Sequence, residues 1–246
     1  MMSEDRLDLP PSHAVSIIRA AQCTPVPWRN GGGFTLEIAT WPEGASLDTF
    51  LWRVSVATID TPGPFSHFRG VDRSLTLIDG DTMVLQETLS AHVDAAPPLP
   101  THEGTSAPAD DGTAAERRVF ETRDHALTLW DSLRFPGEAD LISRLPSGPT
   151  RDFNLMWRRG SCKAEVDVIQ GTDHRAVLPG STLFYCARGG YHVDDVLLAP
   201  GDTYVMQAAQ VQSLTLAPSG NDAALVCAHI AVSMLGDDTP SERGLE

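Results

Sequence analysis

Leu77-Ile78-Asp79-Gly80-Asp81-Thr82-Met83-Val84 and Leu198-Ala199-Pro200-Gly201-Asp202-Thr203-Tyr204-Val205 share Leu, Gly, Asp, Thr and Val at matching positions, 121 residues apart. An apolar run, a tight Gly-Asp turn and a second apolar run form the signature of a hairpin between barrel strands. The offset is about half of the 246-residue chain. The coincidence therefore reads as a duplication and predicts two related barrels in tandem.

Working outward, the rest of the chain has the same texture. Runs rich in Val, Leu, Thr and Phe recur at Phe50–Ile59, Ser74–Ile78, Thr82–Leu85, Ala126–Trp130, Phe153–Trp157, Ala164–Ile169, Val196–Leu198, Tyr204–Met206, Val211–Leu216 and Ala224–Val232. They have the length and composition of strands. Twenty Gly and 18 Pro punctuate them. Helical periodicity is confined to Ala139–Leu145 and the stretch before Cys23, each long enough for one turn. The fold class expected is all-β, built as barrels. The junction of the halves falls at Leu145-Pro146-Ser147-Gly148-Pro149, giving an N-terminal barrel over 14–148 and a C-terminal barrel over 149–235. Residues 92–115, with Pro97-Pro98-Leu99-Pro100 and Asp110-Asp111-Gly112, read as a mobile loop inserted in the first barrel, and 1–13 and 236–246 as flexible tails.

Composition limits the function. The 18 Lys+Arg against 33 Asp+Glu give a formal charge of −15, which repels nucleic acid and anionic lipid. No apolar run reaches the length of a membrane helix. Met1–Pro11 carries Glu4, Asp5 and Asp8 and is no signal peptide. A cytoplasmic location is expected, with Cys23, Cys162, Cys186 and Cys227 reduced and serving as small apolar residues. The eight histidines include no His-x-His pair, the arrangement that lets two imidazoles on one strand share an ion. No metal or other cofactor is expected. His229 reads as a core or rim residue, and His67, in the turn Gly63-Pro64-Phe65-Ser66-His67-Phe68, is a lone imidazole.

Four stretches can carry chemistry. In Pro27-Trp28-Arg29-Asn30-Gly31-Gly32-Gly33 the glycine N–H groups can form an anion-binding nest, beside the guanidinium of Arg29 and the flat wall of Trp28. In Phe50–Ala57, alternation puts Trp52, Val54 and Val56 on one face and Arg53, Ser55 and Ala57 on the other. Either face can line the barrel, and an inward Arg53 needs a counter-ion. Gly70-Val71-Asp72-Arg73 precedes a strand and reads as a barrel-mouth element or a local ion pair. In Thr150–Arg158, Phe153, Leu155 and Trp157 share one face, and Asp152, Asn154, Met156 and Arg158 the other. Polar groups two apart on an apolar strand are costly to bury unless paired, so Asp152 and Asn154 either satisfy neighbouring backbone or converge in a pocket.

With Gly63-Pro64-Phe65-Ser66 and Phe135-Pro136-Gly137-Glu138 these stretches occur in a fixed order, and together they resemble the HutD/Ves family from about Ile17 to Val232. The resemblance implies a bicupin fold, two double-stranded β-helix (jelly-roll) barrels packed together. It implies a non-catalytic regulator of bacterial histidine utilisation whose pocket takes a small anionic metabolite such as urocanate or N-formylglutamate. Trp28, Arg29, Asn30, Trp52, Arg53, Arg73, Asp152 and Asn154 match the motif positions, and with Gly31 and Gly32 they form the expected ligand-binding set. The chain departs from the pattern at Phe34, where a small polar residue is usual, and in the inserted loop. Two other readings go with it. One is a metal-free cupin isomerase, epimerase or lyase, with His67 and one of Asp72, Glu37 or Asp152 as the acid–base pair. The other is a protein–protein regulator with a vestigial pocket. A homodimer through barrel edges is expected.

Overall fold

The computed structural model describes residues 13–92 and 118–233. The expected inserted loop and both tails lie, apart from His13 and His92, outside the described residues. Every described element is a strand except one 3-10 turn, Ala20–Gln22. The strands are β1 (His13–Ile18), β2 (Pro25–Pro27), β3 (Gly33–Trp41), β4 (Trp52–Ile59), β5 (Gly63–Pro64), β6 (Val71–Asp79), β7 (Thr82–His92), β8 (Arg118–Thr128), β9 (Ser132–Pro136), β10 (Leu141–Arg144), β11 (Thr150–Arg158), β12 (Cys162–Ile169), β13 (Asp173–Val177), β14 (Gly180–Arg188), β15 (Tyr191–Val193), β16 (Val196–Leu198), β17 (Thr203–Ala208), β18 (Gln212–Pro218) and β19 (Ala224–Val232). The helical turn expected at Ala139–Leu145 is instead strand β10. No described helix is long and apolar enough to cross a membrane.

The architecture is a bicupin. In the first barrel a sheet ordered β2-β3-β4-β11-β6-β9 faces a sheet ordered β5-β10-β7-β8. In the second, β1-β17-β14-β19-β12 faces β13-β18-β15-β16. Each barrel has its own interior: Ile59, Leu75, Leu77, Met83, Leu85 and Leu141 in the first, Phe184, Tyr191, Leu198, Met206, Leu216 and Leu225 in the second. A third core joins them, where Trp52, Val54, Val56, Phe153, Leu155 and Trp157 meet Leu183, Tyr185, Val226, Ala228 and Ile230. The alternation of β4 and β11 is thereby resolved. Their large apolar residues face the other barrel, and Arg53, Ser55, Asp152 and Asn154 face inward.

Two sequence expectations are revised. Chain order does not divide the barrels at 145–149, because β11 lies between β4 and β6 in the first barrel while β1 pairs with β17 in the second. The Leu77 and Leu198 stretches are also not equivalent. Neither is a hairpin: Gly80-Asp81 carries the chain from the six-stranded to the four-stranded sheet, and Gly201-Asp202 carries it from a four-stranded to the five-stranded sheet. Both turns need glycine at positive φ, 95° and 90° respectively. The shared motif thus records one local turn used in opposite senses. The true internal correspondence follows from pairing, with β4, β11 and β6 of the first barrel matching β12, β19 and β14 of the second. Both β11–β6 and β19–β14 pairings carry their register shift at the corresponding place.

Candidate functional site

The inner face of β3, β4, β11 and β6 carries a block of polar residues set by strand register. Met156, on the central strand, stands opposite Arg53 on β4 and opposite Arg73 on β6, and Thr40 on β3 stands opposite Arg53. Adjacent strands run about 4.8 Å apart, so the two arginines flank Met156 at a backbone span of roughly 10 Å. One inward position along, Asn154 lies opposite Ser55, and Ser55 opposite Glu37. A further inward position along, Asp152 lies opposite Ala57.

Burial is what makes this block unusual. Arg73 is 5% exposed, Asp152 1% and Asn154 8%. Arg73 Nε, Asp152 Oδ2, Asn154 Oδ1 and Thr40 Oγ1 are all buried without a hydrogen-bond partner. Such atoms cost roughly 1–3 kcal/mol each when left unsatisfied. Four on one inner face point to a polar molecule as their partner.

Each guanidinium is held differently. Arg53 Nε donates to Glu37 Oε2 at 2.8 Å, and Nη1 donates to Ser55 Oγ at 3.1 Å. Glu37 is the counter-ion that an inward Arg53 requires. Arg73 has no ion pair among the described residues. Its Cζ lies 5.2, 5.6 and 5.0 Å from the ring centroids of Phe65, Phe68 and Phe135, an aromatic cage that stabilises a desolvated cation. Ser66 O accepts from its Nη1 at 3.4 Å. Burial lowers the Arg73 pKa to about 10, so it stays charged at neutral pH. Burial raises Asp152 to about 7, with Arg73 opposing the shift. When Asp152 is protonated, two guanidinium charges face one carboxylate, and the interior favours an anion.

The remaining expected residues are distributed elsewhere. Trp28 packs against the interior of the first barrel and donates from Nε1 to Thr35 Oγ1 at 2.8 Å. Arg29 and Asn30 are exposed at the β2–β3 turn. The expected nest there is taken up internally, because Gly31 N–H donates to Trp28 O at 3.0 Å and Gly32 N–H donates to Asn30 Oδ1 at 3.0 Å. Trp52, 2% exposed, sits in the core between the barrels, not in the polar block. Asp72 points away from the block, to Arg159 at 2.9 Å. His67 is exposed and pairs with Asp140 at 2.7 Å. Among the described residues no group of three or more His, Cys, Asp and Glu converges as metal ligands.

Thr40 and Phe68 went unrecognised in the sequence. Phe68 gave only a turn aromatic as signal. Thr40 gave none, because counting by twos from Thr35 and Glu37 puts Ala39 inward. A register shift between Glu37 and Ala39 reverses the phase.

The HutD family profile matches residues 20–124 and 118–224. An uncharacterised 21.2 kDa protein in the hutC 3′ region of Pseudomonas putida is 31% identical over 70% of this chain and 74% of its own length. Protein Ves of Citrobacter koseri is 31% identical over 70% of this chain and 72% of its own. The solved structure of HutD from Pseudomonas fluorescens SBW25 superposes with a TM-score of 0.68 at 24% identity, covering 90% of this chain and all of the other.

Proposed function

The chain belongs to the HutD family, and from that premise we propose that its first barrel is a metal-independent receptor for a small anionic metabolite of histidine utilisation, of the urocanate or N-formylglutamate type, and that binding serves regulation of that pathway. The observation that carries this reading is the row Arg53–Met156–Arg73 beside the orphaned atoms of Arg73, Asn154 and Asp152. A carboxylate set against the two guanidiniums gains charge-assisted hydrogen bonds in a desolvated place. Polar groups elsewhere on the ligand meet Asn154 and Asp152. The gene neighbourhood in the P. putida relative's name supports the pathway.

Calorimetric titration with urocanate and N-formylglutamate tests it. A small ligand in such a site is expected to bind at roughly micromolar to millimolar strength. Arg53→Gln should weaken binding at least about tenfold through loss of one charged hydrogen bond. If only protonated Asp152 admits the anion, affinity should fall about tenfold from pH 6 to pH 8. Absence of heat with either compound at millimolar concentration, in folded protein, overturns the reading.

One observation favours turnover as a second reading. A carboxyl raised to about 7 among buried polar groups has the property of a general acid or base. Asp152 would hold that role, since His67 is turned to Asp140 at the surface. Prolonged incubation with each compound, followed by proton NMR, separates the two. Conversion that is lost in Asp152→Asn supports an enzyme, and an unchanged spectrum supports a receptor.

A further inference from the structure

The second barrel has the same three-strand scaffold but different chemistry on it. Where the first barrel sets Arg53, Met156 and Arg73 in a row, the second sets Glu165, His229 and Thr182. Where the first has Ser55 and Asn154, the second has Asp167 and Cys227. A cleft of about 460 Å3 runs across the edge of β12, reaching Glu165 and Asp167 on this face and Ala164 and Val166 on the opposite face, which packs toward the first barrel. One wall is β12, the edge of its sheet, with Cys227 and His229 of β19 and Arg175 of β13. The other wall comes from the first barrel and consists of Ser74, Ser132, Arg134 and Trp157.

Most of the charge here is already matched. Arg175 lies 2.8 Å from Asp167 and 3.1 Å from Asp173. Asp167 also accepts from the Val168 N–H at 2.9 Å. Two groups of opposite sign remain. Glu165 has no ion pair among the described residues. Arg134 lies over the Trp157 ring at 4.7 Å and touches Asp72 only at 3.4 Å, while Asp72 is held more closely by Arg159. His229 is bonded through Nδ1 to Thr182 Oγ1 at 2.8 Å, which leaves Nε2 for a ligand. Burial lowers its pKa, with Glu165 opposing, so the ring is neutral at pH 7. Burial pushes the Cys227 thiol up to about 12, so it stays protonated.

We propose that this inter-barrel cleft is a second ligand site, and that it takes a small zwitterion of the α-amino-acid class. Glu165 receives the ammonium, Arg134 the carboxylate and His229 Nε2 a polar side-chain group. An anion that suits the two guanidiniums of the first barrel meets Glu165 here, whereas a ligand carrying both charges leaves neither wall unpaired. The site is independent of the reading given to the first barrel.

The test is NMR titration of the full-length, 15N-labelled chain with the twenty α-amino acids, reading the Trp157 indole N–H and the His229 ring. Each amino acid that binds is repeated as its N-acetyl and its α-amide derivative, which remove one charge apiece. At least one amino acid should shift both reporters at or below about 10 mM. N-acetylation, amidation, Glu165→Gln and Arg134→Gln should each weaken binding about fivefold, as loss of one exposed ion pair does. Arg53→Gln should leave it unchanged. The proposal fails if no amino acid moves either reporter, if the shifts survive removal of either charge, or if Arg53→Gln abolishes them and so moves binding to the first barrel.

Discussion

At the scale of one residue, Asp152 couples stability to pH. Its carboxyl sits at about 7 in the folded chain against an ordinary 3.8. Between those values the folded chain holds a proton that the unfolded chain releases. Its stabilising contribution is therefore full below the lower value and is lost as pH rises through the upper one. Asp152→Asn mimics the protonated form at every pH. Scanning calorimetry should show it gaining on the wild type by several degrees between pH 5 and pH 8, at about 2–4 °C per kcal/mol for a chain of this size. A melting difference that does not vary with pH would show that burial does not hold the proton. The glycine run makes a second residue-scale case. A Cβ on Gly33 would stand 2.1 Å from the Thr58 carbonyl oxygen, whereas one on Gly31 meets open space but at φ +70°. Gly33→Ala should cost about 3 kcal/mol or more through overpacking. Gly31→Ala should cost about 1 kcal/mol through backbone strain. Urea denaturation of the two variants checks the order. The run is explained by a tight turn and a close approach between strands, a demand that looks the same in a sequence as an anion nest.

At the scale of the element, β11 is the strand on which fold and site separate most cleanly. Phe153, Leu155 and Trp157 bind the barrels together, and Asp152, Asn154 and Met156 face the polar block. Leu155→Ala should cost about 2–5 kcal/mol, as cavities in packed cores do. It should leave anion affinity close to that of the wild type. Asn154→Ala should do the reverse. It removes a buried acceptor with no partner of its own, so stability should change by less than about 1 kcal/mol while affinity falls. Measuring melting and titration on the same two proteins decides it, and a variant that lowers both together would refute the separation. The alternation of β4 and β11 was legible in the sequence because period-2 patterning is local. Which face turned inward was not, because that depends on the sheet each strand joins. In β3 even the phase was hidden, since the shift after Glu37 leaves no compositional trace.

For the whole molecule, the consequence is cooperativity. The core between the barrels draws on β4 and β11 from one side and β14 and β19 from the other. The barrels also exchange strands, because β1 from the start of the chain completes the second and β11 from its middle completes the first. Thermal unfolding should therefore be one transition, with calorimetric and van't Hoff enthalpies in agreement. A fragment ending at 148 lacks the central strand of its own large sheet and should show no cooperative melt by circular dichroism. Two separate transitions, or a folded 13–148 fragment, would contradict this. The two barrels were implied by the resemblance to the HutD/Ves family and not by the Leu77 and Leu198 stretches, and the sequence by itself determined the all-β class and the pairing of apolar with polar faces along β4 and β11. Those follow from strand composition, turn chemistry and alternation, which act between near neighbours. Only the tertiary structure decided that the repeated Leu-x-x-Gly-Asp-Thr stretch marks two non-equivalent turns, that β11 crosses the expected boundary, and that Arg53, Arg73, Asp152 and Asn154 meet while Trp52 does not join them. The reason is physical: strand pairing is chosen by whole-sheet packing between residues far apart in the chain, and no local pattern encodes the partner.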